Sequence, residues 1–151
     1  EQFDYVVIDL PDPSNYSVGK LFTDRFYREI KRILRPKGAV VVQSTSPFVA
    51  PKAFWCVDAT MRAAGLMTAP FHAQVPSFGI WGFVAGFHPS RTFAVNPALP
   101  TGLRYVSAET LAGMFVFPTD MDRLTTDINR LDNQALVHYY EAEWGAYAAS
   151  F

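Results

Sequence analysis

The stretch FDYVVIDLPDP, residues 3–13, decides the fold of this chain. It contains four apolar residues in an unbroken run: Tyr5, Val6, Val7 and Ile8. Such a run is typical of a strand that is buried on both faces of a parallel sheet. Asp9 stands where this strand should end. Because open α/β sheets bind ligands in the crevice at the carboxyl ends of their strands, we expect Asp9 to face a binding cleft.

A second acid, Asp12, follows three residues later between Pro11 and Pro13. Proline fixes its own φ and restricts the residue before it, so this loop is stiff. Two anionic groups on stiff backbone at a strand end suit a cationic ligand. Two alternatives remain open: Asp12 caps a short helical turn that begins at Pro13, or Asp9 is a solvated strand terminus. A magnesium or calcium site is disfavoured, because those ions take six or more oxygen ligands and no further acids cluster here.

Composition excludes several classes of function. The chain has 151 residues, half of them hydrophobic, which is enough for one domain with a core. Its net charge of −1 gives no electrostatic reason to bind nucleic acid. No apolar run approaches the roughly 20 residues of a membrane span. Cys56 is the only cysteine, which excludes an intrachain disulfide and a multi-cysteine zinc site, and we expect a reducing, cytoplasmic setting.

A helix and a second strand follow the acidic loop. Thr23 is a predicted helix N-cap, and the apolar residues after it recur at helical spacing. Residues 39–43, AVVVQ, then repeat the pattern of the first strand. Gln43 falls on the same rim as Asp9 if the two strands are neighbours. The alternative is that nearby backbone satisfies the Gln43 amide.

The rest of the chain completes an alternating pattern of helices and strands. The predicted elements are a helix at 51–64, strands at 66–75 and 79–87, a surface linker at 91–102, a short helix capped by Ser107 and a last helix at 132–149. The residues between the two strands are rich in turn formers and predict an antiparallel hairpin. His72, within this hairpin, is interpreted as structural. The aromatic stripe of the last helix is interpreted as a packing face.

Strand, helix, strand, helix and hairpin make the second half of a doubly wound α/β domain. We assign residues 1–88 to this half and residues 89–151 to a linker and helical extension that packs on it. Neither a G-x-G-x-x-G motif nor a P-loop occurs. Since the chain begins without Met, directly before a buried-type strand, we expect a piece of a larger fold. We expect it to be inactive alone and to self-associate, as a dimer or larger homo-oligomer, through the first strand or the last helix.

The residues resemble the spermidine synthase (polyamine aminopropyltransferase) family. In order, the resemblance rests on DYVVIDLPDP, LFTDRFY and PKGAVVVQ, and it continues through FWC, PSFGIWGF and LRYVSAET. It covers essentially the whole chain, and D-x-x-D-P after a buried strand is its most specific part. The ending NRLDNQALVHYY is similar to a subgroup with an N-terminal membrane region, which implies a membrane-attached parent.

The resemblance implies a class I methyltransferase-like (Rossmann-like) fold. It implies that the aminopropyl group of decarboxylated S-adenosylmethionine, a co-substrate, is transferred to putrescine or a related amine, with no further cofactor and no metal. The first acid of the family motif acts as base and amine anchor and maps onto Asp9. The second, which binds the polyamine, maps onto Asp12. Gln43 matches a polar residue of the amine pocket, and residues 14–20 match the gatekeeping loop of the family. The small and polar composition of residues 14–20 fits a mobile lid, and the alternative is an ordinary connection between a strand and a helix.

One departure from the family affects the amine pocket. Val75 stands where the family often places a Tyr that helps to hold the amine, and Phe78 or His72 are candidates to replace it. Two competing interpretations follow. One is an S-adenosylmethionine-dependent methyltransferase on the same fold. The other is a non-catalytic module that binds polyamine or assembles a complex, which Val75 favours and the presence of both acids opposes.

Overall fold

A computed structural model describes residues 1–91, 93–96 and 98–151. Within these ranges the elements are β1 (Phe3–Ile8), α1 (Tyr16–Gly19), α2 (Asp24–Ile33), β2 (Leu34–Gln43), α3 (Pro51–Ala63), β3 (Met67–Val75), β4 (Gly79–Phe87), α4 (Ala108–Gly113) and α5 (Ala135–Ala148). The predicted order of strands and helices is confirmed. Thr92 and Pro97, which belong to the predicted linker at 91–102, lie outside the described residues. The domain division at residue 88 stays a prediction.

The four strands form one mixed sheet in the order β1-β2-β4-β3. β1 and β2 are parallel, with Ile8 opposite Val42. β4 is antiparallel to β2, with Phe83 opposite Gln43, and antiparallel to β3, which confirms the predicted hairpin. Because β1 and β2 run parallel, Asp9 after β1 and Gln43 at the end of β2 reach the same edge of the sheet.

Helices α2 and α3 cover one face of this sheet and bury its main core. The side chains at this interface are Val40, Val42 and Val84 from the strands and Tyr27, Ile30, Phe54, Val57 and Met61 from the helices. Burial of each large apolar side chain stabilises the fold by about 1.5–3 kcal/mol, so this layer dominates the stability of the domain. The rigid layer also holds the carboxyl ends of β1 and β2 in place.

The last helix, α5, packs on the same core. Leu136 and Val137 are fully buried, and Tyr139, Tyr140 and Trp144 pack against the core with part of each ring exposed. The prediction of an aromatic packing face is therefore confirmed, with α5 docked inside the domain. Within the described residues, none of the helices combines the length and the apolar character that crossing a bilayer requires.

β1 differs from its prediction. Tyr5 is 74% exposed and Val7 is 77% exposed, so the expectation of burial on both faces is wrong for this chain. The reason is the position of β1 in the sheet. Among the described strands it pairs with β2 alone, and alternate residues point to the face that α2 and α3 do not cover.

Candidate active site

Asp9 and Asp12 both line one open cavity of about 770 Å³. Asp9 directly follows β1 and is exposed, whereas Asp12 is half-buried. Gln43 lines the same cavity, so the structure brings together all three residues singled out from the sequence. The opposite wall is apolar and comes from the β3–β4 hairpin and the uncovered sheet face: Val75, Phe78, Trp81, Phe83, Val41 and Val7.

The Asp12 carboxylate is held by a hydrogen bond on each oxygen. Oδ1 accepts from Nε2 of Gln43 at 3.1 Å, and Oδ2 accepts from Oγ1 of Thr45 at 3.3 Å. The alternative in which Asp12 caps a helix is wrong. The N-cap of α1 is Asn15, whose Oδ1 accepts the N–H of Val18 at 3.1 Å. Because the helix begins beyond Pro13, the Asp12 side chain is left to turn toward the end of β2.

Gln43 connects the end of β2 to the acidic loop. Its amide N–H donates to Asp12, so the alternative of a backbone-satisfied amide is wrong. Its Oε1 is buried and accepts no hydrogen bond from the described residues. A buried acceptor without a donor costs free energy, which a donor group of a ligand could recover.

Thr45 adopts an unusual backbone conformation beside Asp12. Its φ is 57°, in the left-handed region that β-branched residues rarely adopt, and its side chain is buried. The Thr45 carbonyl accepts the N–H of Gly82 at 2.7 Å, and Ser44 donates to the Gly82 carbonyl at 2.9 Å. A Cβ on Gly82 would lie 2.5 Å from the Phe54 ring and 2.7 Å from the Thr45 carbonyl oxygen. Only glycine therefore allows β4 to approach Thr45 this closely.

Two aromatic residues of α5 reach the acidic loop from the side. The indole N–H of Trp144 donates to Oγ1 of Thr45 at 3.0 Å. Tyr140 lies near Asp12: burial raises the pKa of the Tyr140 phenol, and the negative charge of Asp12 raises it further. Tyr140 is therefore a neutral phenol at physiological pH. The sequence showed α5 as a packing stripe only, because helical spacing carries no information about the distant loop it contacts.

A family model described as "Spermine/spermidine synthase domain" matches residues 1–92 of this chain. The chain belongs to the spermine/spermidine synthase family. It is 47% identical over 150 residues to polyamine aminopropyltransferase 2 of Ralstonia nicotianae, covering 95% of this chain and 28% of that protein. It is 46% identical over 143 residues to the polyamine aminopropyltransferase of Leptospira interrogans, covering 94% and 28%. The chain thus spans a little over a quarter of the length of these curated relatives.

Solved structures of the family share the fold. A spermidine synthase from Thermotoga maritima matches with a TM-score of 0.64 at 18% identity, covering 96% of this chain and 44% of that one. A spermidine synthase in complex with the transition-state analogue AdoDATO matches with a TM-score of 0.63 at 16% identity, covering 96% and 43%. The predicted methyltransferase-like α/β architecture is confirmed at the level of the fold.

In this member of the spermine/spermidine synthase family, the hairpin supplies an apolar wall at Val75, the position noted above as a departure from the family. Val75 and Phe78 line the cavity, and the Phe78 ring packs on Trp81 with centroids 5.4 Å apart. His72, the other candidate, is not part of the lining of this cavity. Its Nε2 lies 2.8 Å from the carbonyl oxygen of Val116, as expected for a structural histidine.

The segment between the acidic loop and α2 forms α1 and a single 3-10 turn at Lys20–Phe22. The space around the buried Gly19 is filled by Gln134 and Val137, each 2.5 Å from the position of a Cβ. The segment is thus packed on the start of α5, and its role as a lid stays a prediction. Among the described residues, no three His, Cys, Asp or Glu side chains lie close enough together to hold a metal ion.

Proposed function

We propose that this chain supplies the amine-binding part of a polyamine aminopropyltransferase, which transfers the aminopropyl group of decarboxylated S-adenosylmethionine to putrescine or a related amine. One observation carries the proposal: two carboxylates in different environments line one cavity that also has an apolar wall. The relatives named polyamine aminopropyltransferase support it.

The cavity suits a diamine because its two kinds of surface match the two parts of such a molecule. The methylene chain would lie along Val75, Phe78 and Trp81, where burial of apolar surface favours binding. The ammonium ends would lie at Asp9 and Asp12. The buried acceptor on Gln43 adds a third group that favours an N–H donor.

The two acids would act differently. Asp12 is fixed by hydrogen bonds on both oxygens and would hold one charged nitrogen in register. Asp9 is exposed to the cavity and would receive the attacking nitrogen. An alkylamine with a pKa of about 10 is almost fully protonated at neutral pH, so its proton must pass to Asp9 or to water before attack.

The transfer itself is an in-line displacement. The amine nitrogen forms a bond to the carbon next to the sulfonium, the carbon–sulfur bond breaks, and a neutral thioether leaves with the bonding electron pair. The leaving group needs neither an acid nor a metal. Alignment of the two reactants can supply about 7–11 kcal/mol of the barrier reduction, so positioning by Asp9 and Asp12 is the main contribution that we assign to this chain.

The remaining parts of the proposal concern the whole protein. We infer that the nucleoside is bound mainly outside this chain, which contains no glycine-rich phosphate or nucleoside motif. The isolated chain would then be inactive. We also propose that the domain works in the cytoplasm, as part of a protein with a membrane region. We propose that it self-associates, since β1 is an edge strand that pairs with β2 alone among the described strands.

The test is Asp9→Asn in the full-length protein, with decarboxylated S-adenosylmethionine and putrescine as substrates. Loss of a general base should lower turnover by about 10²- to 10⁴-fold, whereas nucleoside binding measured by calorimetry should stay the same. Asp4→Asn is the matched control, because Asp4 lies on the same strand and is paired with Arg35 outside the cavity. Normal turnover in Asp9→Asn would refute this role. Methyl transfer from S-adenosylmethionine by the wild type would favour the methyltransferase alternative. Amine binding without turnover in the wild type would favour the non-catalytic module.

A further inference from the structure

A chain of hydrogen bonds links the C-terminal helix to the acidic loop. Nε1 of Trp144 on α5 lies 3.0 Å from Oγ1 of Thr45, and the same Oγ1 lies 3.3 Å from Oδ2 of Asp12. Trp144 and Asp12 are therefore connected through one hydroxyl group. The helix that carries Trp144 lies outside residues 1–92, the part that the family model matches.

The chemistry of the three groups fixes the direction of these bonds. An indole N–H can only donate, so the Thr45 hydroxyl must accept from Trp144. The single hydroxyl hydrogen is then available for the Asp12 carboxylate, which can only accept when ionised. The two bonds run in one direction and end on the negative charge, an arrangement in which each bond polarises and strengthens the next.

Thr45 makes both contacts with its backbone in the left-handed region, at φ 57°. Such conformations persist where the surroundings determine them, and they cluster at functional sites. Here the determining contact is the close approach of Gly82, whose N–H binds the Thr45 carbonyl at 2.7 Å. The hydroxyl is thereby placed between the helix and the acid.

Trp144 is held in place by the residue before it. Both carboxylate oxygens of Glu143 accept backbone N–H groups at the start of α3, from Lys52 at 2.9 Å and from Ala53 at 3.0 Å. This contact fixes the axial position of α5 next to the cavity. Trp144 therefore lies directly beside a contact that joins α5 to α3.

We propose that Trp144 and Thr45 are positioning residues of the amine site, through which α5 sets the orientation of Asp12 and so the affinity for the amine. The proposal rests on the proposed function. Neither residue lines the cavity beside the acids, so both act through Asp12.

Kinetics of the full-length enzyme test the proposal. Thr45→Val keeps the β-branched shape but loses the hydroxyl. It should raise the KM for putrescine by about 10- to 100-fold, which corresponds to the free energy of one hydrogen bond to a charged group. Thr45→Ser restores the hydroxyl and should recover most of the affinity. Trp144→Phe acts one bond further away and should raise this KM by about 3- to 10-fold. In every variant the KM for the nucleoside should stay the same.

Trp55→Phe is the matched control for Trp144→Phe. The indole of Trp55 also donates one hydrogen bond, to the carbonyl of Met121 at 3.1 Å, but Trp55 is buried in the core and is not part of the cavity lining. Trp55→Phe should leave the KM for putrescine unchanged in the folded protein. Equal KM values for the two Trp variants, or no recovery in Thr45→Ser relative to Thr45→Val, would overturn the proposal.

A measurement without turnover separates this proposal from the proposed function. In full-length protein labelled with 5-fluorotryptophan, the ¹⁹F signal that disappears in Trp144→Phe belongs to Trp144. Asp12→Asn should shift this signal and leave that of Trp55 unchanged. An unshifted Trp144 signal would overturn the hydrogen-bond chain even in an active enzyme. A shifted signal in a protein that transfers no aminopropyl group would support the chain and refute the proposed function.

Discussion

The carboxylate of Glu143 on α5 caps the first turn of α3, where it accepts the backbone N–H of Lys52 at 2.9 Å. The α3 helix has no side-chain cap of its own, since Ala50 occupies its N-cap position and Pro51 its first position. The four free N–H groups at a helix start need acceptors, and the positive end of the helix dipole favours an anion. A distant residue therefore supplies what the local sequence lacks, and it docks α5 beside the candidate active site.

Removing this cap should destabilise the protein. We expect Glu143→Ala to cost about 1–2 kcal/mol, the usual cost of losing a helix cap, and Glu143→Gln to cost less because one amide oxygen remains as an acceptor. Thermal unfolding of the full-length protein is the measurement. The control is Glu141→Ala, which removes an exposed carboxylate from the same helix and should change stability by less than about 0.5 kcal/mol. Equal losses in the two alanine variants would contradict the capping role.

The capping carboxylate should also contribute a pH dependence. Burial raises the pKa of Glu143 above its ordinary value of 4.5, although the N–H groups of Ala53 and Lys52 oppose this shift. The folded protein therefore holds the proton more tightly than the unfolded chain. Protonation of Glu143 therefore stabilises the folded protein most at acid pH. This stabilisation falls as the pH rises from 4.5 through the folded-state pKa of Glu143.

The difference in melting temperature between the wild type and Glu143→Gln reports this contribution, because glutamine does not titrate. We expect the difference to shrink as the pH is raised from about 4 to 7. A difference that stays constant over this range, or grows, would show that the pKa of Glu143 is not raised.

Gly82 should tolerate no side chain. In Gly82→Ala the new Cβ would meet the Phe54 ring at 2.5 Å and the Thr45 carbonyl oxygen at 2.7 Å. Overpacking of this kind costs about 1–3 kcal/mol, and it should also displace the Thr45 hydroxyl and weaken the amine binding that we propose. Gly113→Ala is the control, because no described residue beyond its chain neighbours and its own helix backbone lies within 4 Å of its Cβ position. Unfolding and putrescine titrations of both variants would test this, and similar behaviour of the two would contradict it.

Asp58 should matter more for stability than the surface acids. Its side chain is fully buried and pairs with Arg62 and Arg123, while Thr68 donates to it at 2.6 Å. Breaking a buried pair is strongly destabilising, but the two arginines are about half exposed and can return to water. We therefore expect Asp58→Ala to cost about 3 kcal/mol, at the low end of the range for buried pairs.

The matched comparison for Asp58→Ala is Asp4→Ala, which breaks the exposed pair with Arg35. An exposed ion pair contributes less than about 1 kcal/mol, so this variant should unfold close to the wild type. If both aspartate variants lose the same stability in urea unfolding, the burial of Asp58 does not have the effect that we assign to it.

Val75 should influence which amine is accepted. It lines the apolar wall of the cavity, and Val75→Tyr would add a ring where the methylene chain is proposed to lie. We expect kcat/KM for spermidine, a longer amine, to fall at least about tenfold relative to putrescine, since a pocket wall discriminates added methylenes by such factors. Val116→Tyr is the control, because Val116 is 67% exposed and does not line the cavity. An unchanged ratio in Val75→Tyr would refute a role in specificity.

The sequence predicted the parts of the site that depend on local order. The unbroken apolar run before Asp9 indicated a strand, and the position of Asp9 indicated the edge of the sheet where ligands bind. The cap at Thr23 is confirmed, since its Oγ1 accepts the N–H of Phe26 at 3.3 Å. These features follow from neighbours within four or five residues, where side-chain type controls the backbone directly.

The partners of Asp12 could not be predicted in this way. Gln43 and Thr45 are 31 and 33 residues further along the chain, and Trp144 is 99 residues beyond Thr45. Their contacts depend on the parallel register of β1 with β2, the insertion of β4 beside β2 and the docking of α5. A polar residue after a strand can reach several partners, and the neighbouring sequence does not determine which of them it binds.

The amino-acid sequence alone determined the family, the order of the elements and the delivery of two acids to a strand end. Only the tertiary structure decided that one acid is held by Gln43 and Thr45 while the other remains open to the cavity. The physical reason is that strand periodicity and turn chemistry act over a few residues. The orientation of a side chain is set by whichever distant groups the packing of helices and strands brings within hydrogen-bond distance.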